Sequence, residues 1–362
     1  MTLISGARAN SIRRKIVAIG PLPPPTTGFA VITERMVALL SEDNDVELVN
    51  VSPPSLTRGA KYHAVRVSRI LAAAAKLVSS ARKARIAYVG CDGDNGLIYT
   101  AFLVRLARAL GYMIYLHHHN FSYIDRPRAL MRAVLRAGGD RLVHIFLCET
   151  MAEAFGRAYP GPLRHTIVSN AAFVPPSTTL RAPREDGVLT IGLLSNLNRA
   201  KGLHTFLDLM RAAKEKGLPI RGILAGPLAE PADRPALEAA LAELGDSLAW
   251  LGPVHGADKD AFFAAIDVFV FPTTYANEAQ PTVIFEALAA GNLVVAYDRG
   301  CIKAQVGNNG LVISKHTAFR DSCLYFLDKT VRSNIFSAHD SFSRYDFYRH
   351  MHINNRNNIS FP

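Results

Sequence analysis

Two glutamates, Glu278 and Glu286, flank a segment whose residue types could bind a phosphorylated sugar or a nucleotide. A buried-looking apolar run ends at Phe271, and Pro281 stands where a helix would begin, since its fixed φ and missing N–H suit a helix start. Gly291 would end that helix. The free N–H groups of the first turn would bind a phosphate, and each carboxylate could accept hydrogen bonds from vicinal hydroxyls. An ordinary capped helix with a surface glutamate is the alternative, and the whole pattern favours the ligand site.

A second polar loop follows the apolar run that ends at Leu194 and reads Ser-Asn-Leu-Asn-Arg-Ala-Lys-Gly over residues 195–202. Lys201 is a cation directly before a glycine at a predicted helix start. Such a cation would neutralise a diphosphate, which needs charge compensation most as the bond to its leaving group breaks. A plain strand-to-helix turn is the alternative interpretation of this loop.

Three consecutive histidines, His117, His118 and His119, end another predicted strand. Adjacent residues of an extended chain point to opposite sides, so the three form a poor chelating set and no metal site is predicted. After the first strand, a proline-rich loop leads to Gly28, which would open a helix and permit close approach of a ligand or of the facing domain, with a rigid turn as the alternative interpretation. The loop is not G-x-G-x-x-G, so the dinucleotide-binding fingerprint is absent.

The segment from Glu278 to Glu286 resembles the E-x7-E segment of the retaining GT-B glycosyltransferases of family 4, the glycosyl transferases group 1, and the resemblance extends over about residues 15–314. It implies that Glu278 reaches the donor sugar and that Glu286 holds the ribose hydroxyls of the nucleotide. Between them, backbone amides would bind the sugar and phosphates, along the stretch Gln280, Pro281, Thr282 and Val283.

The same resemblance assigns roles to the other loops. It places Lys201 at the diphosphate, but Asn196 stands where the family usually has an arginine, and Arg199 is the candidate to compensate for the missing charge. A strand-end histidine, His117 with His119 as the next choice, would orient the sugar. The catalytic residues predicted in this way are His117, Lys201 and Glu278. The remaining donor-binding candidates are the loop glycines Gly28 and Gly226, and Asn170 matches a strand-end asparagine of the family.

Alternating apolar runs and helical stretches must position these residues. β-like runs are predicted at 15–19, 46–49, 86–89, 113–116 and 143–147, with helices from Gly28 and around 66–84, 96–110 and 127–137. A second series predicts strands at 188–194, 220–225, 248–251, 267–271 and 293–296, and helices at 203–216, 233–244, 258–265, 282–290 and near 316–330. This alternation predicts parallel sheets covered by helices on both faces.

The fold class predicted is α/β of the GT-B type, with two doubly wound Rossmann-like domains facing each other across a cleft. Residues 1–175 are expected to form the acceptor-binding domain, 176–187 a linker rich in proline and polar residues, and 188–336 the nucleotide-sugar-binding domain. Residues 337–362 are expected to be an irregular tail, since Asn, His, Tyr, Arg and Phe crowd there with little periodicity.

Composition limits the classes of partner. Lys and Arg number 41 against 30 Asp and Glu, which suits an anionic substrate or an anionic membrane face, with solubility alone as the alternative explanation. No basic motif interleaved with aromatic residues is present, so no nucleic-acid partner is predicted. Four scattered cysteines without a C-x-x-C pair predict a reducing compartment, with neither a disulfide framework nor a zinc site. With no secretory signal at the start, the predicted location is cytoplasmic, peripheral at the inner membrane face.

The expected function is transfer of a sugar from a nucleotide-diphosphate sugar to a glycan or lipid-linked acceptor, in bacterial cell-surface polysaccharide biosynthesis. No cofactor or metal is expected besides the nucleotide sugar as co-substrate. The alternative is a non-catalytic GT-B relative that binds sugar nucleotides or partners, which the substitution at Asn196 keeps open.

Overall fold

The computed structural model describes residues 13–53, 59–177, 179, 187–333, 345, 348–349 and 351–356. The chain divides into two compact units. Unit 1 comprises residues 1–119, 126–145 and 158–166, and unit 2 comprises 120–125, 146–157 and 167–362. The predicted linker at 176–187 lies mostly outside the described residues.

The sheet built mainly from unit 1 has six strands in the order β2-β1-β3-β4-β5-β6. The strands are Lys15–Gly20 (β1), Asp45–Asn50 (β2), Ile86–Cys91 (β3), Met113–His118 (β4), Leu142–Phe146 (β5) and His165–Ile167 (β6). The pairs β1–β2, β1–β3, β3–β4 and β4–β5 are parallel. β1, β3 and β4 are almost wholly buried, as expected for apolar strands of a parallel sheet covered on both faces.

Four helices of unit 1 connect these strands: Gly28–Asp43 (α1), Ala60–Ser80 (α2), Leu97–Ala109 (α3) and Ala129–Gly138 (α5). Two further helices, Ser122–Asp125 (α4) and Glu149–Ala158 (α6), belong to unit 2 except for the last residue of α6. The predicted strands and the predicted helices of this half of the chain are confirmed, while α4, α6 and β6 were not predicted.

Unit 2 contains a second six-stranded sheet in the order β12-β11-β10-β7-β8-β9. Its strands are Leu189–Leu194 (β7), Ile220–Ala225 (β8), Leu248–Trp250 (β9), Val268–Phe271 (β10), Leu293–Tyr297 (β11) and Gly310–Ile313 (β12). All neighbouring pairs are parallel. Numbered from β7, this is the strand order 3-2-1-4-5-6 of the Rossmann fold, which reverses direction between β7 and β10.

The helices of this sheet are Leu203–Glu215 (α7), Arg234–Leu244 (α8), Ala257–Ala265 (α9), Thr282–Ala289 (α10), Ile302–Val306 (α11) and Phe319–Ser333 (α12). Their apolar faces and the strands form one continuous core. The five predicted strands and five predicted helices of this half are confirmed, and α11 and β12 were missed. No helix among the described residues combines the length and the apolar character needed to cross a membrane.

Two expectations are corrected by unit 2. Residues 348–349 and 351–356 are helical, so the expectation of an irregular tail is wrong for them; the buried Tyr348 donates from its hydroxyl to Val174 O at 2.6 Å. Cys148 and Cys301 are joined by a disulfide across a sequence separation of 153, so the expectation of no disulfide is also wrong. Their pairing is set by tertiary proximity, which sequence spacing does not reveal.

Candidate functional site

The loops that follow β7 and β10 meet where the strand order of the unit 2 sheet reverses. In a doubly wound sheet, the connections from two such strands leave in opposite directions, and a crevice opens at their carboxyl ends. Residues 195–202 follow β7, and residues 272–281 follow β10. The two polar segments singled out in the sequence therefore lie side by side at the position where this fold binds ligands.

A tight turn brings the β7 loop against the β10 loop. The N–H of Lys201 donates to Asn198 Oδ1 at 2.8 Å, and Thr274 N donates to Ala200 O at 2.8 Å. Gly202 begins α7 with φ of +95°, a conformation that side chains rarely adopt. A Cβ at Gly202 would lie 2.5 Å from the ring of Pro272. Glycine is therefore required here because the two loops approach so closely.

Lys201 and Glu278 form an ion pair between the two loops. Lys201 Nζ lies 2.5 Å from Glu278 Oε2, and the two side chains are 21% and 11% exposed. The same ammonium lies 4.4 Å from the centre of the Tyr275 ring, a cation–π contact. The hydroxyl of Thr273 lies 3.5 Å from Glu278 Oε2. An ammonium has three donors and a carboxylate two oxygens, so this pair retains groups for both a phosphate and a sugar hydroxyl.

The first turn of α10 presents backbone N–H groups beside this pair. Pro281 is the residue before the helix, with φ of −63°, and Thr282 and Val283 are its first two helical residues. The opening N–H groups of a helix have no intrahelical acceptor, and together with the helix dipole they favour an anion. Further along α10, Glu286 Oε1 lies 2.8 Å from Lys259 Nζ of α9, with side chains 16% and 30% exposed.

The Gln280 side chain supports the helix start rather than facing a ligand. Its Oε1 accepts from Asn170 N at 2.7 Å and from Ser169 Oγ at 3.3 Å, and its Nε2 donates to Leu147 O at 3.0 Å. Asn170 Nδ2 donates to Gln280 O at 2.7 Å. The side chain of this buried residue is therefore engaged by contacts within unit 2.

The loop after β11 supports the Glu278 loop from behind. Arg299 Nε donates to Tyr275 O at 2.5 Å, and its Nη2 donates to Ala276 O and to Asp125 Oδ2, the latter at 2.9 Å. Cys301 N donates to Ala279 O at 2.7 Å. Backbone carbonyls on both sides of Glu278 are thus held in place, which limits movement of its carboxylate.

The remaining donor-binding candidates of unit 2 lie in neighbouring loops. Asn196 is exposed, and the guanidinium of Arg199 lies 3.5 Å from His204 Nδ1, whose Nε2 in turn contacts Asp233 at 2.7 Å. Gly226 has φ of +110°, and a Cβ there would collide with the backbone of Ser195. Close packing of two loops therefore accounts for glycine at position 226, whether or not it contacts a nucleotide.

The three consecutive histidines at the end of β4 point to alternate sides of the chain. His118 Nε2 lies 2.8 Å from His144 Nδ1, whereas His117 and His119 share the other side, with ring centres 4.0 Å apart. His117 Nδ1 lies 2.8 Å from the Tyr88 hydroxyl. Within the described part of the chain, neither His117 Nε2 nor His119 Nε2 has a hydrogen-bond partner.

Burial governs the protonation of these rings. It lowers the pKa of His119 to about 3, and it lowers the pKa of His117 well below its usual value, with a smaller contribution from the neighbouring histidines. Both rings are therefore neutral near pH 7 and can each offer one nitrogen to a ligand. Phe29 of α1 packs on His119 at 4.5 Å between ring centres, and Thr27 caps this helix by accepting from Ala30 N at 3.1 Å. Gly28 opens α1 as predicted.

Three residues of the unit 2 site were missed in the sequence. Lys259 is separated from Glu286 by 27 positions, so no local spacing links the two residues. Arg299 acts on a loop more than twenty residues away. Tyr275, in contrast, stands three residues before Glu278, and an aromatic ring so close to a carboxylate predicted to bind a sugar was a usable signal.

Comparisons with known proteins bear on the family and on the fold. The family model of the glycosyl transferases group 1 matches residues 186–329, so the predicted resemblance to this group is confirmed over this segment. A search of curated protein sequences finds no match to the chain.

Solved structures of similar fold cover 95% of this chain. HepE of Anabaena in complex with UDP is 15% identical, with a TM-score of 0.69 and coverage of 95% of this chain and 97% of that one. HepE with UDP-glucose is 17% identical, with a TM-score of 0.67 and the same coverage. The lipopolysaccharide outer core galactosyltransferase WaaB in its apo form is 14% identical, with a TM-score of 0.67, 95% of this chain and 98% of that one. The predicted GT-B fold, with its two Rossmann-like domains, is therefore confirmed.

Proposed function

We propose, from the match of residues 186–329 to the family model of the glycosyl transferases group 1, that the protein is a retaining glycosyltransferase of family 4. It moves a hexosyl group from a nucleotide-diphosphate sugar to a glycan or lipid-linked acceptor in bacterial cell-surface polysaccharide biosynthesis. Residues 188–336 bind the donor and residues 1–175 bind the acceptor, with peripheral contact to the inner face of the membrane. The observation that carries the proposal is the Lys201–Glu278 pair beside the first turn of α10.

Donor binding follows from the order of groups along unit 2. The ribose hydroxyls donate to Glu286, the diphosphate accepts from Lys201 and from the opening N–H groups of α10, and a sugar hydroxyl donates to Glu278. Lys201 keeps one donor on Glu278 Oε2 and directs its other two to the phosphates. The ion pair thereby couples the position of the sugar to the position of the leaving group.

Transfer with retention proceeds by attack on the same face from which the diphosphate leaves. The bond from the anomeric carbon to the phosphate oxygen breaks, the acceptor oxygen bonds to that carbon, and the acceptor proton passes to the leaving diphosphate. Lys201 and the helix N–H groups stabilise the growing negative charge. A neutral histidine, His117 with His119 as the alternative, orients the sugar through its unpartnered Nε2.

UDP-glucose is the first donor to test, because the similar fold of HepE was solved with UDP and with UDP-glucose. The experiment measures UDP release with and without sugar acceptors, for the wild-type chain and for Glu278→Gln. The proposal requires acceptor-dependent release that Glu278→Gln abolishes. If UDP-glucose and the other common nucleotide sugars bind but none is turned over with any acceptor, catalysis is refuted.

The second candidate is a non-catalytic protein that binds nucleotide sugars. It is favoured by Asn196, which leaves the diphosphate one cation short of the family pattern, and by the contact of Arg199 with His204. Replacing Asn196 with arginine separates the two candidates. A turnover rate that rises in Asn196→Arg supports a working enzyme with a weakened phosphate site, and binding without turnover in both chains supports the second candidate.

A further inference from the structure

The outer face of three helices in unit 1 exposes large apolar side chains. Val67, Leu71 and Val78 of α2 are 44%, 58% and 56% exposed, and Ile98 and Phe102 of α3 are 56% and 45% exposed. Scattered single apolar residues are normal on a protein surface, whereas a contiguous apolar face rimmed by polar groups marks an interaction site. These five residues make up half of the exposed large apolar side chains in the described part of the chain.

The exposed residues of α2 follow the helical repeat on its solvent side. Ala64, Val67, Leu71, Ala75 and Val78 recur at steps of three or four residues, and all are exposed. At 1.5 Å per residue this stripe is about 21 Å long. Such spacing on the outward face is unusual because it gives α2 a second apolar side, opposite the buried one formed by Ile70, Ala73 and Leu77.

The apolar stripe of α2 and the exposed apolar residues of α3 lie in one layer of helices. α3 packs against both α2 and α5, and Ile98 and Phe102 stand one turn apart on the outer side of α3. The next exposed position along this stripe is Arg105. An apolar surface on α2 and the first half of α3 thus passes into a basic surface on the second half of α3 and on α5.

The helices of this layer carry charge of a single sign, and some of their cations pair with acidic side chains outside them, Lys76 with Glu47 and Arg108 with Asp140. α2, α3 and α5 contain four, two and two Lys or Arg residues and not one Asp or Glu. Arg105, Arg132 and Arg136 are exposed on α3 and α5. On the surface of a helix layer that served only for solubility, both signs would be interspersed. An apolar strip beside a strip of exposed arginines is instead complementary to a bilayer, whose acyl chains accept the apolar residues and whose anionic headgroups attract the cations.

We infer that the outer face of α2, α3 and α5 is a docking surface for an anionic lipid bilayer. Val67, Leu71, Val78, Ile98 and Phe102 insert at the level of the headgroups, and Arg105, Arg132 and Arg136 contact the lipid phosphates. The inference rests on the proposed function, because that function includes a lipid-linked acceptor and such an acceptor is presented at a membrane. The surface itself involves none of the residues assigned to the donor or to catalysis.

The test is co-sedimentation of the full chain with vesicles of equal parts phosphatidylglycerol and phosphatidylcholine, compared with vesicles of phosphatidylcholine alone. The wild-type chain should bind the anionic vesicles, bind the neutral ones weakly, and lose affinity as salt rises from 0.05 to 0.5 M, since surface electrostatics are screened over these concentrations (Debye length falling from roughly 14 to 4 Å). Leu71→Ser combined with Phe102→Ser should lower the affinity about tenfold or more, because two inserted side chains lose their apolar transfer energy.

The matched control is Leu251→Ser with Tyr325→Ser, which removes two comparably exposed side chains, 51% and 63%, from unit 2. This variant should bind vesicles like the wild type. Both double variants are surface changes and should unfold at nearly the wild-type temperature. The inference is overturned if the wild type does not bind anionic vesicles, or if the two double variants lose affinity equally. It is also overturned if Leu71→Ser with Phe102→Ser dissociates an oligomer in sedimentation velocity, which would assign the face to a second copy of the chain.

Donor binding separates this inference from the proposed function. UDP-glucose titration reports on unit 2 and should be the same in both double variants and in the wild type. Vesicle binding without any nucleotide-sugar binding would leave the docking surface standing and refute the proposed function. Donor turnover on a water-soluble acceptor without vesicle binding would support the proposed function and refute the docking surface.

Discussion

Replacement of Glu286 by alanine should separate ligand binding from fold stability. The carboxylate is 16% exposed and its partner Lys259 is 30% exposed, so after the substitution the ammonium can turn to water. Pairs of this exposure are worth about 1 kcal/mol or less, and the free energy of unfolding should fall by no more than that. The control Glu243→Ala breaks the Arg211–Glu243 pair, also at 2.8 Å but more exposed, and should cost no more.

The expected loss in nucleotide affinity is much larger. Hydrogen bonds to charged groups contribute about 1.5–3 kcal/mol each, and the proposed ribose contact uses two hydroxyls on a carboxylate of which Lys259 engages Oε1. A loss of about 3 kcal/mol in all raises the dissociation constant about a hundredfold. Lys259→Met leaves the carboxylate but frees its rotation, which costs about 1 kcal/mol of ordering on binding and about fivefold in affinity.

Calorimetric titration provides the assay. UDP is titrated into the wild type, Glu286→Ala, Lys259→Met and Glu243→Ala, and the series is repeated with the 2′,3′-dideoxy form of UDP. The loss of affinity caused by Glu286→Ala should disappear with the dideoxy ligand, since that ligand offers no ribose hydroxyls to either protein. Unchanged affinity of Glu286→Ala for UDP, or an equal penalty with both ligands, would refute the assignment of Glu286 to the ribose.

Three further predictions concern the lysine, the buried histidines and the disulfide. Lys201→Met should lower the rate of donor turnover about a hundredfold to a thousandfold while changing donor affinity less, because the charge matters most as the diphosphate leaves; single-turnover kinetics test this, and a change in affinity alone would contradict it. Burial lowers the pKa of His119 and His144 to about 3, so below about pH 6.5 the unfolded chain binds protons that the folded one does not. The free energy of unfolding should therefore fall with decreasing pH, by about 1.4 kcal/mol per pH unit for each histidine; urea unfolding between pH 7 and 5 measures the slope, which His144→Gln should flatten. Cys148→Ser should lower that free energy by about 2–4 kcal/mol, since the disulfide closes a long loop, and a reductant should destabilise the wild type but not the variant.

Most of the architecture could be predicted because apolar runs and helical repeats are local. The run Lys15-Ile-Val-Ala-Ile already contains β1 almost to its last residue. The parallel arrangement follows from the alternation of such runs with helices. α6 was missed because its buried residues Met151, Ala152 and Phe155 span little more than one turn, too few for a clear periodic pattern. β12 was missed because glycine and asparagine precede a run of only three apolar residues.

Individual residues of the candidate site were predicted from the sequence, but the contacts between them were not. Lys201 and Glu278 were assigned separately, but their ion pair spans 77 positions and follows only from the reversal of strand order between β7 and β10. The pairing of Glu286 with Lys259 and the disulfide are non-local in the same way. Strand alternation could have shown that His118 faces away from His117 and His119, because that periodicity is local.

The helical residues near the carboxyl terminus have a consequence for how the chain can be shortened or tagged. Tyr348 holds the carbonyl of Val174, and His352 Nδ1 lies 2.7 Å from the carbonyl of Ala171. Asn170, the next residue back, holds both the backbone and the side chain of Gln280 directly before α10. Tyr348 and His352 therefore support, at a distance, the turn that the proposed function assigns to the phosphates. A chain cut at residue 336 would keep every predicted donor-binding side chain yet is expected to bind the donor with a loosened helix start.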